Sequence, residues 1–194
     1  PALPIEIAKK MVTQELGLPA DEVFSEFSEP VAAASIAQVH QATIAETGEV
    51  VAVKVLRPGI EKAFRKDIDA FYLAAEMIEL LSPASRRLRP TEVITHFEGV
   101  VLGELDLRLE SSAASEFAAN TGGDAGFTLP AVKWDLSARR VMTLGWADGV
   151  SLGDNDAIDG AGHDRSVLAS RVLELFLQHA LRDGYFHADM HQGN

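Results

Sequence analysis

Cysteine is missing from all 194 residues. That removes disulfides, thiolate metal sites and cysteine nucleophiles, and it is compatible with a reducing compartment. Basic residues are scarce: 17 Lys and Arg stand against 29 Asp and Glu, for a formal net charge of −12. A broad nucleic-acid surface needs clustered cations, so no nucleic-acid partner is expected. No run approaches the ~18 uninterrupted apolar residues of a membrane-spanning helix. Residues 1–10 lack the basic start and apolar stretch of a signal peptide. Internal repeats, low-complexity tracts and long linkers are absent too. These residues read as soluble and cytoplasmic, and the chain opens on Pro1 rather than Met. What is present, 47% hydrophobic with 24% charged, suffices for the core of an ordinary globular domain.

Along the chain, the apolar spacing from Pro4 to Leu16 predicts a short helix ended by Gly17 and Pro19. Val23 to Val31 reads as extended. Ser35–Ala45 and Glu49–Leu56 read as two strands joined by the turn Glu46-Thr47-Gly48. Val50, Val51, Val53 and Val55 are β-branched, which favours the strand for the second. After Arg57-Pro58-Gly59, Phe64, Ile68, Phe71, Ala75 and Ile78 recur at helical steps until Pro83. A second helix is expected to start at Thr91 as N-cap, with a separate Ala-rich helix running to about Asn120. Phe127–Val132 and Arg140–Trp146 read as two more strands, with a polar turn at Asp135 between them. Ser151–Asp164 suggests a short helix within loops, and Ser166–Asp183 an amphipathic helix stopped by Gly184. Strands, helices, two strands and a helix make an α+β pattern: an antiparallel sheet followed by a helical part.

The sharpest chemical signal is His187-Ala188-Asp189-Met190-His191-Gln192-Gly193-Asn194. It fits H-R-D-x-x-x-x-N of protein kinases at His187, Asp189 and Asn194, in a loop that follows a long helix. The spacing suits the chemistry: an Asp accepts the proton of the attacking hydroxyl, and an Asn ligates magnesium on the phosphates. The bland alternative is a loop that merely closes a helix. A zinc site from His187, Asp189 and His191 would need another ligand and an open position.

A second signal is Val51-Ala52-Val53-Lys54, which matches the V-A-I-K strand whose lysine pairs the α- and β-phosphates. The small Ala52 leaves room for an adenine ring. Alone, such a lysine is more often a solvated strand residue. Upstream, Val31 to Val39 lies in register with G-x-G-x-x-G-x-V, and Ala32, Ala34 and Ala37 stand at the three Gly positions. An Ala-rich stretch by itself is most often helix or core. Here its β-branched flanks, and a lysine fifteen residues after Val39, support a nucleotide-covering hairpin. His40, His96, His163 and His179 are isolated and read as structural or surface histidines. Trp134 and Trp146 read as packing residues.

Three motifs in order, P-V-A-A-A-S-I-A-Q-V-H, V-A-V-K followed by R-P-G, and H-A-D-M-H-Q-G-N, resemble the UbiB (AarF-domain) family of atypical kinases from about Leu3 to Asn194. The resemblance implies a protein-kinase-like fold: an upper lobe of antiparallel sheet plus helices over residues 1–147, and the start of a helical lower lobe over 148–194. It implies ATP and Mg2+ as cofactors. Ala32, Ala33, Ala34, Ser35, Ala37 and Val39 would form the covering loop, and Ala52, Lys54, Leu144 and Trp146 would lie about the nucleotide. Asp189 and His187 would serve the catalytic loop, and Asn194 the metal. The family's E-x-D motif matches Glu104-Leu105-Asp106, and a further Glu follows at Glu110. Glu98 stands where the resemblance implies the partner of Lys54, with Glu104 next. On one straight helix Glu98 and Glu104 lie about 240° apart, so both cannot point at Lys54 unless Gly99 or Gly103 breaks the helix.

The resemblance also places a K-x-G-Q segment ahead of Pro1 and a D-F-G-type aspartate beyond Asn194, so this stretch alone is expected to be inactive. Where the family usually has a Glu before the lower lobe, this chain reads Leu144-Gly145-Trp146. For the intact protein the implied activity is ATPase or unorthodox kinase, in support of ubiquinone or other isoprenoid-lipid metabolism at the inner membrane. The implied partners are a prenyl-lipid precursor or quinone-biosynthesis proteins, with peripheral membrane contact. The rival readings are a small-molecule phosphotransferase and a catalytically silent nucleotide-binding module.

Overall fold

The computed structural model describes residues 3–82 and 84–188. The chain divides into two compact units. One comprises the residues up to Ala113 together with Ala131–Trp146, the other Ala114–Pro130 together with the residues from Ala147 on. The expected boundary at 147/148 placed Ala114–Pro130 with the sheet; the structure puts that segment in the second unit.

The first unit is built on a four-stranded antiparallel sheet in sequential order: β1 (Phe24–Ala33), β2 (Ala37–Ile44), β3 (Val50–Leu56) and β4 (Val141–Gly145). The turn at Glu46-Thr47-Gly48 forms as expected, with Gly48 at φ 70°, a left-handed conformation that favours glycine. Side chains alternate across the sheet. Val51, Val53 and Val55 of β3 face inward with Ala42, Ile44 and Val141, against Met11 and Val12 of α1 (Ile5–Leu16). A four-residue helix α2 (Ala20–Val23) leads into β1, whose register shifts three times, twice beside Pro30. Proline has no N–H to give a ladder, so the irregularity falls where it does least harm.

The buried polar positions of β2 satisfy one another. His40 Nδ1 lies 2.8 Å from the Ser28 carbonyl, and its Nε2 lies 2.8 Å from Gln38 Nε2. Gln38 Oε1 in turn accepts the Leu3 N–H at 3.0 Å. A neutral His40 that donates from Nδ1 and accepts at Nε2 fits every contact. Burial lowers the His40 pKa, against a smaller opposite pull from the Ser28 carbonyl.

Two long helices follow β3: α3 (Ile60–Leu81) and α4 (Pro90–Glu104). They are tied by Tyr72 Oη to Glu98 at 2.9 Å and by Glu79 to the Thr91 hydroxyl at 2.8 Å. Thr91 is therefore not the N-cap. Arg89 occupies that position at φ 48°, because Pro90 takes the first helical place, where its missing N–H is harmless. Helix α5 (Leu107–Thr121) is separate from α4, as expected.

The expected strand Phe127–Val132 does not form. A single bridge joins Val132 to Leu144, and Pro130 cannot donate to a ladder. The second unit holds α6 (Asn155–Gly160) and α7 (Arg165–Gln178), and α7 runs on into a π-helical turn over His179–Asp183. Asp164, not a residue inside the helix, caps α7 by accepting the N–H groups of Ser166 and Val167. Gly184, at φ 63°, ends the run.

Candidate functional site

The register of the sheet brings residues of the alanine-rich and V-A-V-K motifs to one face. In antiparallel pairing, directly opposed residues share a face. Lys54 opposes Val39 on one side and Met142 on the other; Ala52 opposes Gln41 and Leu144. Val39, Ala52, Lys54 and Leu144 therefore lie together on the face opposite the core valines. A strand alternating Val with Ala and Lys has one face to bury and one face to offer.

Lys54 Nζ lies 2.7 Å from both carboxylate oxygens of Glu110. Glu98, the expected partner, is committed instead to the Tyr72 hydroxyl on α3. The reason lies in the break between α4 and α5. Leu105 ends α4, donating to the Val101 carbonyl at 3.2 Å. Asp106 then starts α5: its Oδ1 accepts the Arg108 N–H at 3.1 Å and its carbonyl accepts the Leu109 N–H at 3.0 Å. The Leu107 N–H reaches the Arg139 carbonyl at 2.8 Å, which pins the start of α5 to the segment entering β4. Glu110 follows one turn into α5, whose start this anchor fixes against the sheet. Both partners are partly exposed, so the pair contributes about 0.5 kcal/mol or less to stability and its significance is geometric.

The E-x-D residues stand close by. Glu104, Asp106 and Glu110 line one cavity of about 420 Å³ with Gly99, Gly103 and Leu109. Asp106 is held bidentately by Arg108, with Nε at 2.9 Å and Nη2 at 2.6 Å, and hydrogen bonding to that guanidinium lowers the Asp106 pKa. Asp106 thus acts here as a helix cap with its own cation.

The alanine-rich segment expected to cover a nucleotide is a tight exposed turn. Ala32 and Ala33 end β1, Ala34 and Ser35 turn, and Ala37 begins β2. The Ala34 N–H closes the turn on the Ala37 carbonyl at 2.9 Å. No side chain larger than Ser35 stands at Ala32 to Ser35, so backbone is what the turn presents. At the far edge, Trp146 donates its N–H to the Val50 carbonyl at 3.1 Å and Gly145 donates to Ala131 at 3.0 Å. Both amides thus have backbone partners, Trp146 in β3 and Gly145 in the segment at Ala131.

In the second unit His187 is exposed and lines an apolar cavity of about 260 Å³ with Phe117, Phe127 and Phe186. Asp189, His191 and Asn194 lie outside the described residues. Among the described residues no group of three His, Asp or Glu side chains is placed to hold a metal ion. His179 is buried, its Nε2 3.0 Å from Asp124, which also takes Arg182 Nη1 at 2.6 Å and Gln178 at 2.9 Å. The Arg182 guanidinium, with His179 assisting, holds the Asp124 carboxyl down at about 2.

A sequential antiparallel sheet, a lysine on its third strand ion-paired to a helix carboxylate, and a small-residue turn between the first two strands define the sheet-bearing half of a protein-kinase-like fold. The chain matches the ABC1 atypical kinase-like domain over residues 1–194, and it belongs to that family. Among curated proteins, the "Probable protein kinase UbiB" of Marinobacter nauticus is 40% identical over 195 aligned residues, covering 100% of this chain and 36% of that protein. The protein of the same name from Pseudomonas aeruginosa PAO1 is 38% identical with the same coverage. A solved structure from Mycobacterium tuberculosis, the complex of Rv3197 with erythromycin, aligns at a TM-score of 0.80 and 31% identity, covering 100% of this chain and 48% of that one. The chain spans 36% of the length of the curated relatives it matches here.

Proposed function

We propose that this chain holds ATP for a kinase-type enzyme, with the triphosphate at Lys54 and the adenine against Ala52 and Leu144. The observation that supports this most is the Lys54–Glu110 ion pair on the sheet face shared with Val39 and Ala52. The described residues fit the nucleotide: an ammonium oriented by a carboxylate, a small residue one step along the strand, and a turn of alanines whose backbone can come close to phosphates. Magnesium would be held by Asn194, with Asp189 as base and His187 in the same loop. These roles rest on the H-x-D-x-x-x-x-N spacing. ATP with bound metal would supply the phosphoryl group, and the chain's own part is to orient it and accept a proton at Asp189.

In the whole protein the reaction is ATP hydrolysis or phosphoryl transfer of an unorthodox kind. Its setting is ubiquinone or related isoprenoid-lipid synthesis, a reading that follows the UbiB name of the relatives. A prenyl-lipid precursor or quinone-biosynthesis proteins are the partners that setting implies, at the inner membrane. The test is binding of a fluorescent ATP analogue, with magnesium, to the chain and to Lys54→Ala, followed by phosphate release from the full-length protein and its Asp189→Asn variant. Weaker binding by Lys54→Ala and loss of release by Asp189→Asn are expected. Equal affinity with and without Lys54 contradicts the site. Transfer to a soluble metabolite would make it a small-molecule phosphotransferase, and binding without turnover a silent module.

A further inference from the structure

Arg57 leaves β3 at the point where the alanine turn meets it. Its own N–H donates to the Ile36 carbonyl at 2.8 Å, which carries the β2–β3 ladder one step past the Ala37–Leu56 pair. From that anchored backbone its Nε donates to the Ala34 carbonyl at 3.1 Å. Ala34 in turn closes the turn on Ala37 at 2.9 Å. Pro58 follows and disfavours helical backbone at Arg57, which helps hold the residue extended; the hydrogen bond to Ala34 then orients its side chain. Gly59, at φ 76°, then lets the chain swing into α3. The R-P-G sequence is thus a compact device: an arginine aimed back at the turn, a proline that helps hold its backbone extended, and a glycine that takes the chain away.

We infer that Arg57 is a positioning residue for nucleotide binding, acting through the alanine turn. This rests on the nucleotide reading above. A glycine loop moves freely and must be ordered by its ligand. An alanine turn lacks access to left-handed conformations, and with its central carbonyl held by a guanidinium it is kept in one arrangement before any ligand arrives. Preorganisation of this kind raises affinity by removing an ordering cost from the binding step. Arg57 itself need not touch the nucleotide.

Arg57→Met keeps the apolar stem and removes the donor. A hydrogen bond of this exposed kind is worth about a factor of five in a two-state equilibrium. Affinity for a fluorescent ATP analogue should fall measurably, by up to about fivefold, with the melting temperature nearly unchanged, and Arg57→Lys, which retains a donor, should recover most of it. The decisive arm is a double-mutant cycle with Ala34→Gly. If Arg57 works by holding the turn, loosening the turn with glycine removes most of what Arg57→Met can do, so the two effects are strongly non-additive. Additive effects, or unchanged affinity in Arg57→Met, overturn the inference. Amide hydrogen exchange separates this from failure of the nucleotide reading, because it needs no ligand. Arg57→Met should speed exchange at Ala34 several-fold and leave Val53 and Val55 in β3 unchanged. Unchanged exchange at Ala34 refutes the latch. A latch seen by exchange in a chain that binds no ATP refutes the nucleotide reading, and with it the role assigned to Arg57.

Discussion

In the sheet unit, Val12, Val51, Val53 and Val141 are 0% exposed and form one continuous core with Phe24. In the helical unit, α7 buries Leu175 and leaves Val167 65% and Leu173 58% exposed. The first unit is held by apolar burial across alternating strand positions. The second leans on local polar devices: the Asp164 cap on α7 and the cluster of Gln178, His179 and Arg182 around Asp124. Apolar burial is cooperative and carries no titratable group of its own, so the pH response of the sheet unit falls to the buried His40; caps and ion clusters act locally, and the cluster around Asp124 responds only to strong acid. The two units should therefore differ in how they lose structure.

The largest expected effect is in the sheet core. Phe24→Ala should destabilise the first unit by about 3–5 kcal/mol, whereas Leu173→Ala on α7 should change stability by no more than about 0.5 kcal/mol. Urea unfolding of both variants checks this, and comparable losses would erase the contrast. Next comes acid. The folded pKa of Asp124 is depressed to about 2 from 3.8, so its contribution is complete above 3.8 and disappears as pH falls toward 2. The folded pKa of His40 is also lowered, here from 6.5. The unfolded chain then takes up the proton first, and the stability His40 supports begins to drop as pH falls through 6.5. Hydrogen exchange at pH 7.5 and 5.5 should show β2 loosening over that interval while α7 holds. The reverse order would contradict the neutral, buried His40. A smaller loss is expected from Asp164→Ala, about 1 kcal/mol of helix stability, read as faster exchange in the first turn of α7 alone.

Much of the sheet is legible from residues. The alternation of β3 separates Val51, Val53 and Val55 from Ala52 and Lys54, and the Thr47-Gly48 turn sets the register that brings Val39 opposite Lys54. The partner of Lys54 was not legible in the same way. The resemblance alone pointed to Glu98, whereas the decisive signal is Asp106, a good N-cap residue that starts a new helix and carries Glu110 to the lysine. Phe127–Val132 looked like a strand because its apolar residues fit one; Pro130 and the lack of a continuous partner decided otherwise. His40 is structural, one of the two roles its isolation suggested, whereas nothing in the sequence singled out Gln38 beside it. Both polar side chains face the core, where pairing with Leu3 and Ser28 makes their burial tolerable.

The smallest effect on stability and the largest on function are expected at the same place. Lys54 and Glu110 are partly exposed, so breaking their pair should alter stability by about 0.5 kcal/mol or less. The most direct measurement is magnesium-dependent ATP affinity by equilibrium dialysis for Glu110→Gln beside Glu98→Gln. Glu110→Gln should weaken binding severalfold, as Lys54→Ala does, with Glu98→Gln close to the unaltered chain. Full affinity in Glu110→Gln together with a loss in Glu98→Gln would contradict the ion pair as the organising contact of the nucleotide site.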